Sequence, residues 1–217
     1  MSGPARINTI ALWLVASPSS STSQGATICL RILAPCVENL AHACGTDLSQ
    51  VIHRLAERHA TPSFHPHVTL LTRLFPRSLD RIPDLLRAWK QEHQTLVLEY
   101  EGLGSKALEE HAYFQYAFVK IRPSDALKSL RALTEAELVD QEVADEYFPH
   151  LSLMYSSNWD ESTQILKELA AEGDDHEVER GGAYMFKGQR SIEISEVWAV
   201  KCEGKVEDWQ ILEKFQL

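Results

Sequence analysis

Two short stretches of the chain, FHPHVTL at residues 64–70 and FPHLSL at residues 148–153, end in the same pattern. Each contains an aromatic residue, then a proline, a histidine, an apolar residue, a hydroxyl residue and a second apolar residue. In a β-strand, residues two apart point to the same face and lie about 6.8 Å from each other. Each stretch therefore predicts a strand that presents a histidine and a hydroxyl group on one face and apolar side chains on the other.

The polar faces of these two strands supply the candidate site residues, which are His67 with Thr69 and His150 with Ser152. A buried imidazole or hydroxyl group without a partner costs roughly 1–3 kcal/mol, so we expect all four side chains to face a solvated cleft. Two imidazoles across a cleft suit phosphodiester hydrolysis, because one takes a proton from water while the other donates one to the leaving oxygen. The two hydroxyls are predicted to bind the phosphate oxygens. We expect no metal and no cofactor.

The spacing of the motifs predicts the domain organisation. The two histidines are 150 − 67 = 83 residues apart, and similar helix and strand patterns surround each of them. We expect a single α+β domain over 1–217, built from two pseudo-symmetric lobes at about 7–102 and 112–201. Each lobe is expected to contain a mainly antiparallel sheet with flanking helices, and the active-site cleft is expected between the two sheets.

Hydrophobic periodicity predicts the elements. Strands are expected at 7–16, 67–72, 95–101, 113–122, 150–155, 183–187 and 192–201. Helices are expected around 48–55, 79–89, 127–133 and 165–169, with Asp47, Ser124 or Asp125, and Asp160 as helix N-caps. The serine-rich segment 17–24 is expected to form a poorly ordered loop.

The charge of the chain limits the size of its ligands. Lys and Arg number 21 against 31 Asp and Glu, a formal net charge of −10. Such a field repels a long phosphate backbone but leaves a small nucleotide in a focused pocket possible. We therefore expect a small cyclic-phosphate nucleotide as the substrate, no long nucleic acid, and a monomer.

The apolar run 10–16 is too short to span a bilayer and lacks the flanks of a secretory signal, which predicts a cytoplasmic protein without membrane insertion. The cysteines Cys29, Cys36, Cys44 and Cys202 show no CxxC spacing and are expected to be reduced. A disulfide among the first three is the alternative.

A metal site at the first motif is a second alternative. His65 and His67 share a strand face and can chelate a divalent ion together with a third ligand. The sequence offers no third ligand at suitable spacing, so a solvated His65 at the strand end is favoured.

The two motifs identify a resemblance to the 2H phosphoesterase superfamily, whose signature is one H-x-[ST] motif in each lobe. The chain resembles the fungal and plant 2′,3′-cyclic-nucleotide phosphodiesterases over nearly its whole length. The residues that carry this likeness are ALW at 11–13, PHVT at 66–69, PHLSLMY at 149–155 and KCEG at 201–204 with Trp209.

The resemblance implies an activity. It implies hydrolysis of ADP-ribose 1″,2″-cyclic phosphate to ADP-ribose 1″-phosphate, downstream of tRNA splicing, and of nucleoside 2′,3′-cyclic phosphates to 2′-phosphates. It also implies Golgi association as well as a cytoplasmic location. The catalytic histidines of the family fall on His67 and His150, and its phosphate-binding hydroxyls on Thr69 and Ser152.

The resemblance adds two substrate-binding aromatics, Trp13 and Tyr155. Core packing is the alternative for both, because a tryptophan in an apolar strand usually packs. The stretch 17–45 departs from the compact family pattern.

Two other functions remain open. A 2′-5′ RNA ligase or oligonucleotide phosphodiesterase of the same superfamily would need a basic groove, which the net charge disfavours. A non-catalytic nucleotide-binding module would bind the phosphate without turnover. The sequence does not distinguish the general base from the general acid.

Overall fold

The structure is a computed structural model that describes residues 10–16, 48–139, 147–172 and 184–217. Several sequence predictions lie outside these ranges: the serine-rich loop 17–24, the N-cap Asp47 and the pairing of Cys29, Cys36 and Cys44.

Helices and strands account for most of the described residues. The strands are β1 Ile10–Val15, β2 Val68–Leu74, β3 Leu96–Gly104, β4 Ala117–Ile121, β5 His150–Met154, β6 Ser191–Ile194, β7 Glu196–Lys201 and β8 Gln210–Gln216. The helices are α1 Leu48–His59, α2 Ile82–Glu92, α3 Ala107–Glu110, α4 Asp125–Leu138 and α5 Ser162–Glu172. Short 3-10 turns occupy Pro76–Arg81, Tyr113–Gln115, Trp159–Glu161 and Val206–Asp208.

The strands form one sheet in the order β6-β3-β4-β5-β2-β1-β7-β8, and the neighbouring strands are antiparallel. The predicted α+β class with an antiparallel sheet is confirmed. The two central strands, β2 and β5, pair through Val68 and Leu151. Two groups of four strands therefore meet at this seam, where separate sheets were expected.

The chain exchanges strands between these two groups. Strand β3, expected in the first lobe, pairs with β4 and β6, and β7, expected in the second lobe, pairs with β1 and β8. The predicted strand at 192–201 is divided at Ser195 into β6 and β7, which belong to different groups. The backbone N–H of Ser195 donates to the carbonyl of Val15, which draws the chain across to β1. The observed groups therefore do not follow a division of the chain at residues 102–112.

The two faces of the sheet bury different sets of side chains. One face packs against the helices and holds the main core, which includes Ile10, Leu12 and Leu14 of β1. The opposite face of β1 buries Ala11 and Trp13 in a smaller cluster. Burial on both faces explains why β1 is a continuous apolar run.

Two element predictions are corrected at their ends, and one open alternative is decided. Asp160 lies inside the turn Trp159–Glu161, and α5 begins only at Ser162, so Asp160 is not its N-cap. The expected strand 113–122 starts with the turn Tyr113–Gln115 and becomes a strand at Ala117. Ser124 rather than Asp125 caps α4, because its side chain accepts a hydrogen bond from the N–H of Leu127.

The expected strand 183–187 reduces, in its described part, to a single bridge between Phe186 and Gln189. Lys187 and Gly188 between them have φ angles of 52° and 76°. These values are typical of a tight hairpin turn, which ends the extended backbone. No helix among the described residues is long and apolar enough to cross a membrane.

Candidate active site

The seam between β2 and β5 organises the site. Because the two strands are antiparallel and Val68 pairs with Leu151, Thr69 lies opposite His150 and His67 lies opposite Ser152. The register of β1 and β4 extends these pairs into two rows that cross four strands. We call the row that contains Lys120, His150, Thr69 and Trp13 the upper row. The lower row contains Phe118, Ser152, His67 and Val15. An approximate two-fold axis at the seam exchanges the two histidines.

His67 is almost fully buried, with 5% of its surface exposed. Its ring stacks on the indole of Trp13 with a centroid distance of 3.6 Å and an interplanar angle of 9°. Its Nδ1 lies 2.6 Å from the carbonyl oxygen of His65. A carbonyl only accepts hydrogen bonds, so Nδ1 carries the proton and the lone pair of the neutral ring is on Nε2.

The environment of His67 strongly favours the neutral imidazole. Burial lowers the pKa of His67 to about 4, and the nearby His150 and His65 add to this effect. The hydrogen bond to the His65 carbonyl acts in the opposite direction. At neutral pH His67 is therefore a neutral base with Nε2 unprotonated.

His150 repeats the arrangement of His67 in a more open place. Its Nδ1–H donates to the carbonyl of Phe148 at 2.9 Å, so Nε2 is the ring nitrogen that is free to act on the substrate. The side chain is half-buried. Burial lowers the pKa of His150, and the ammonium of Lys106 lowers it further, while the hydrogen bond to Phe148 raises it.

The two predicted phosphate-binding hydroxyls differ in their partners. Ser152 donates to the carbonyl of Phe114 at 3.0 Å, so this proton must be redirected before it can reach a phosphate. Thr69 is half-buried, and its backbone carbonyl accepts a hydrogen bond from Tyr147 at 3.2 Å. The Thr69 hydroxyl has no hydrogen bond with any described residue and faces the cavity.

The two predicted substrate-binding aromatics are both buried. Trp13, 4% exposed, covers the ring of His67. Tyr155, 3% exposed, stacks on Phe64 at 4.0 Å, and burial raises the pKa of its phenol above the usual range. Both line the cavity, and their role in binding stays a prediction.

An open cavity of about 490 Å³ joins these residues. All six predicted site residues, His67, His150, Thr69, Ser152, Trp13 and Tyr155, line it. The other described lining residues are Ala11, Thr72, Ala112, Tyr113, Phe114, Gln115, Cys202, Gly204 and Trp209. The described lining contains no Lys, Arg, Asp or Glu, so the imidazoles are its only titratable cations.

Sequence reasoning missed two aromatic residues of the cavity wall, Phe114 and Trp209. Phe114 is 52% exposed and comes from the turn before β4, and its ring lies 5.8 Å from that of Trp209. Trp209 was part of the family likeness but had no predicted role. The signal available in the sequence was the closeness of three aromatic residues, Tyr113, Phe114 and Tyr116.

A bulge in β2 adds Thr72 to the lining. Trp13 pairs with Thr69 but Leu12 pairs with Leu71, so Leu70 is an extra residue in β2, and a second register shift follows between Leu12 and Ile10. Arg73 has a φ of 64°. The bulge moves the cavity face from the odd positions 67 and 69 to position 72, which simple alternation does not predict.

Two observations concern metal and thiol chemistry. Among the described residues, no three His, Cys, Asp or Glu side chains are grouped closely enough to hold a metal ion. His65 is exposed, and its ring lies edge-on to Trp198. Burial raises the pKa of the Cys202 thiol to about 12, so this cavity residue is a poor nucleophile.

The comparisons with known proteins fit this geometry. A family model described as "Cyclic phosphodiesterase-like protein" matches residues 8–217. A 2′,3′-cyclic-nucleotide 3′-phosphodiesterase of Kluyveromyces lactis is 25% identical over 183 residues, which is 70% of this chain and 82% of that protein.

Solved structures with a similar arrangement include E. coli LigT complexed with NADP+ and Kluyveromyces marxianus Usb1 with uridine monophosphate. The first is 10% identical, with a TM-score of 0.49 over 97% of both chains. The second is 14% identical, with a TM-score of 0.42 over 97% of this chain and 98% of that one. Both TM-scores are low, so the assignment depends on the family match. The two H-x-[ST] motifs predicted this result: the chain belongs to the cyclic phosphodiesterase-like protein family.

Proposed function

We propose that the protein hydrolyses small cyclic phosphates with two histidines and no metal ion. Its substrates would be nucleoside 2′,3′-cyclic phosphates, opened to 2′-phosphates, and ADP-ribose 1″,2″-cyclic phosphate, opened to ADP-ribose 1″-phosphate. The second reaction would place it downstream of tRNA splicing. One observation carries the proposal. His67 lies opposite Ser152 and His150 lies opposite Thr69 across the same seam, and all four line one cavity.

The two histidines differ in burial, and we assign their catalytic roles from this difference. A general base must be neutral and a general acid protonated when the substrate binds. His67 is the more buried of the two and has a pKa of about 4, so we assign it as the base. His150 is half-buried, and we assign it as the acid.

The reaction then balances in one step. Nε2 of His67 takes a proton from water as the water oxygen bonds to phosphorus. The bond from phosphorus to O3′ breaks, and O3′ receives the proton of His150 Nε2. The protons on the two rings return to their starting arrangement through solvent.

The remaining residues support the transition state and the fit of the substrate. The hydroxyl of Thr69 donates to a non-bridging phosphate oxygen, and that of Ser152 does so after it leaves the Phe114 carbonyl. The uncharged aromatic lining favours a nucleobase over a run of polynucleotide phosphates, because an RNA backbone would meet no Lys or Arg among the described lining residues. This feature disfavours an RNA ligase that tracks several phosphates.

Product identity tests the proposal. The protein is incubated with 2′,3′-cyclic AMP, and separately with ADP-ribose 1″,2″-cyclic phosphate, in the presence of EDTA, and phosphorus NMR follows the products. We expect 2′-AMP and ADP-ribose 1″-phosphate as the only new phosphate signals. Unchanged cyclic phosphate in both reactions, with tight binding of 2′-AMP, would favour a non-catalytic binding module.

A further inference from the structure

The approximate two-fold symmetry of the site is broken beside the histidines. Lys120 of β4 pairs with His150 in the upper row. The position related to it by the axis lies on β1 beside His67 and is occupied by Val15, because Leu14 pairs with Val68. One histidine therefore has a cation as its neighbour on the sheet, and the other has an apolar residue.

The side chain of Lys120 is held at the edge of the site. It is half-buried, and its Cε would lie 2.9 Å from a Cβ placed on Gly104 of β3. The ring of Phe118 packs on the same glycine, and a Cβ there would lie 2.6 Å from it. The absence of a side chain at Gly104 leaves room for the stem of Lys120 along the β3 backbone.

The charge of Lys120 is not compensated by the described part of the chain. The side chain of Lys120 makes no ion pair or hydrogen bond with any described residue. Lys106, the other cation near His150, pairs with Glu110 at 3.2 Å and lies over the Phe148 ring. Partial burial of an ammonium group without a counterion costs desolvation free energy, and a bound anion would offset this cost.

We propose that Lys120 binds a second phosphate of the substrate, the one carried on C5 of the ribose whose cyclic phosphate is opened. This inference rests on the proposed function. The pairing of Lys120 with His150 places their Cα atoms about 5 Å apart. The lysine stem runs over Gly104 of β3, so the ammonium lies outside the described cavity lining, on the His150 side of the site. Both 5′-phosphorylated 2′,3′-cyclic nucleotides and ADP-ribose 1″,2″-cyclic phosphate carry phosphate at this carbon.

The contact would also orient the ribose. In a 2′,3′-cyclic nucleotide, C5 is attached to C4, the neighbour of C3. A C5 phosphate on Lys120 therefore turns O3′ toward His150 and O2′ away from it. This orientation makes O3′ the leaving oxygen and 2′-phosphate the product, so Lys120 would act as a specificity-determining residue.

The test compares two substrates that differ by one group, 2′,3′-cyclic AMP and its 5′-phosphorylated form. For the wild type we expect kcat/KM to be about tenfold or more higher with the 5′-phosphate, as a charge-assisted hydrogen bond provides. Lys120→Met keeps the stem on Gly104 but removes the charge, and it should reduce this ratio to about one. Lys120→Arg should restore most of the ratio.

Lys128→Met is the matched control. Lys128 is exposed on α4, whose buried residues pack in the core on the opposite face of the sheet, so its loss changes the net charge equally and should leave the ratio unchanged. A ratio in Lys120→Met equal to that of the wild type would overturn the inference, as would an equal loss of the ratio in Lys128→Met.

A binding measurement separates this inference from the proposed function. Calorimetry gives the affinities for 2′-AMP and adenosine 2′,5′-bisphosphate, which differ by the same phosphate. Even if neither cyclic substrate is turned over, the wild type should prefer the bisphosphate and Lys120→Met should lose this preference. Equal affinities in the wild type would contradict the role of Lys120 whatever the catalytic result.

Discussion

His67 and His150 share a motif and a hydrogen-bond pattern but differ in their surroundings. Each donates its Nδ1 proton to the carbonyl two residues earlier, which fixes the ring and presents Nε2. His67 is sealed beneath Trp13, whereas His150 is more open and lies near the ammonium of Lys106. A pair with equal chemistry and unequal environments can divide the roles of base and acid.

The pH dependence of kcat/KM follows from these environments. The base must be neutral, so activity rises with pH through about 4, the pKa of His67. The acid must be protonated, so activity falls as pH rises through the pKa of His150, which lies below its ordinary 6.5. We expect a bell-shaped profile with its maximum below pH 6.5, measured with 2′,3′-cyclic AMP. A maximum above pH 7 would contradict the account.

The variant Lys106→Met shows which histidine sets each limb. Lys106 lowers the pKa of His150 and is not among the charges that act on His67. Its removal should move the alkaline limb to higher pH and leave the acidic limb in place. Movement of the acidic limb alone would reverse the assignment of base and acid.

The residue patterns predicted the centre of the site better than its rim. Alternation along a strand placed His67, Thr69, His150 and Ser152 on one face, and the structure brings them around one cavity. Thr72 was missed because a bulge changes the phase of β2, and a bulge depends on the partner strand.

At the scale of elements, the β3–β4 pair supports the His150 side of the site. Gly104 lies opposite Phe118, whose ring also contacts that of His150 at 5.3 Å. A methyl group on Gly104 would lie 2.6 Å from the Phe118 ring, so the ring must move.

Gly104→Ala should therefore destabilise the fold by roughly 1–3 kcal/mol, which is the usual cost of overpacking. It should also lower kcat/KM through the displaced Phe118. Gly102→Ala is the control on the same strand, because a Cβ there has no neighbour within 4 Å. Urea unfolding measures both variants, and equal losses of unfolding free energy would show that strand propensity, not packing on Phe118, is responsible.

The sequence predicted the interiors of the elements more reliably than their ends. The apolar spacing of α1, α2, α4 and α5 follows the buried core, so these helices were found. The turn Tyr113–Gln115 was read as strand because its aromatic residues have high strand propensity. Tyr113 and Phe114 instead line the cavity, and the backbone carbonyl of Phe114 accepts a hydrogen bond from Ser152. Both are tertiary contacts that the local sequence does not predict.

At the scale of the whole molecule, the site depends on two strands brought together from the middle of two groups. The chain reaches this arrangement by placing β3 with β4 and β7 with β1, so each group contains strands from both parts of the chain. Strand partners are non-local, and a sequence that alternates correctly is compatible with several orders. The repeat of 83 residues therefore predicted the paired motifs but not the exchange of β3 and β7.

The central claim is that the two histidines act as one catalytic unit at the seam. The most direct measurement is kcat/KM for 2′,3′-cyclic AMP, with EDTA present, in His67→Ala, His150→Ala and the double variant, after circular dichroism has shown that each is folded. We expect each single change to reduce kcat/KM by roughly 10²- to 10⁴-fold, and the double change to reduce it little further, because base and acid act in the same step. Losses that multiply in the double variant, or a single variant with more than about a third of wild-type activity, would contradict the claim.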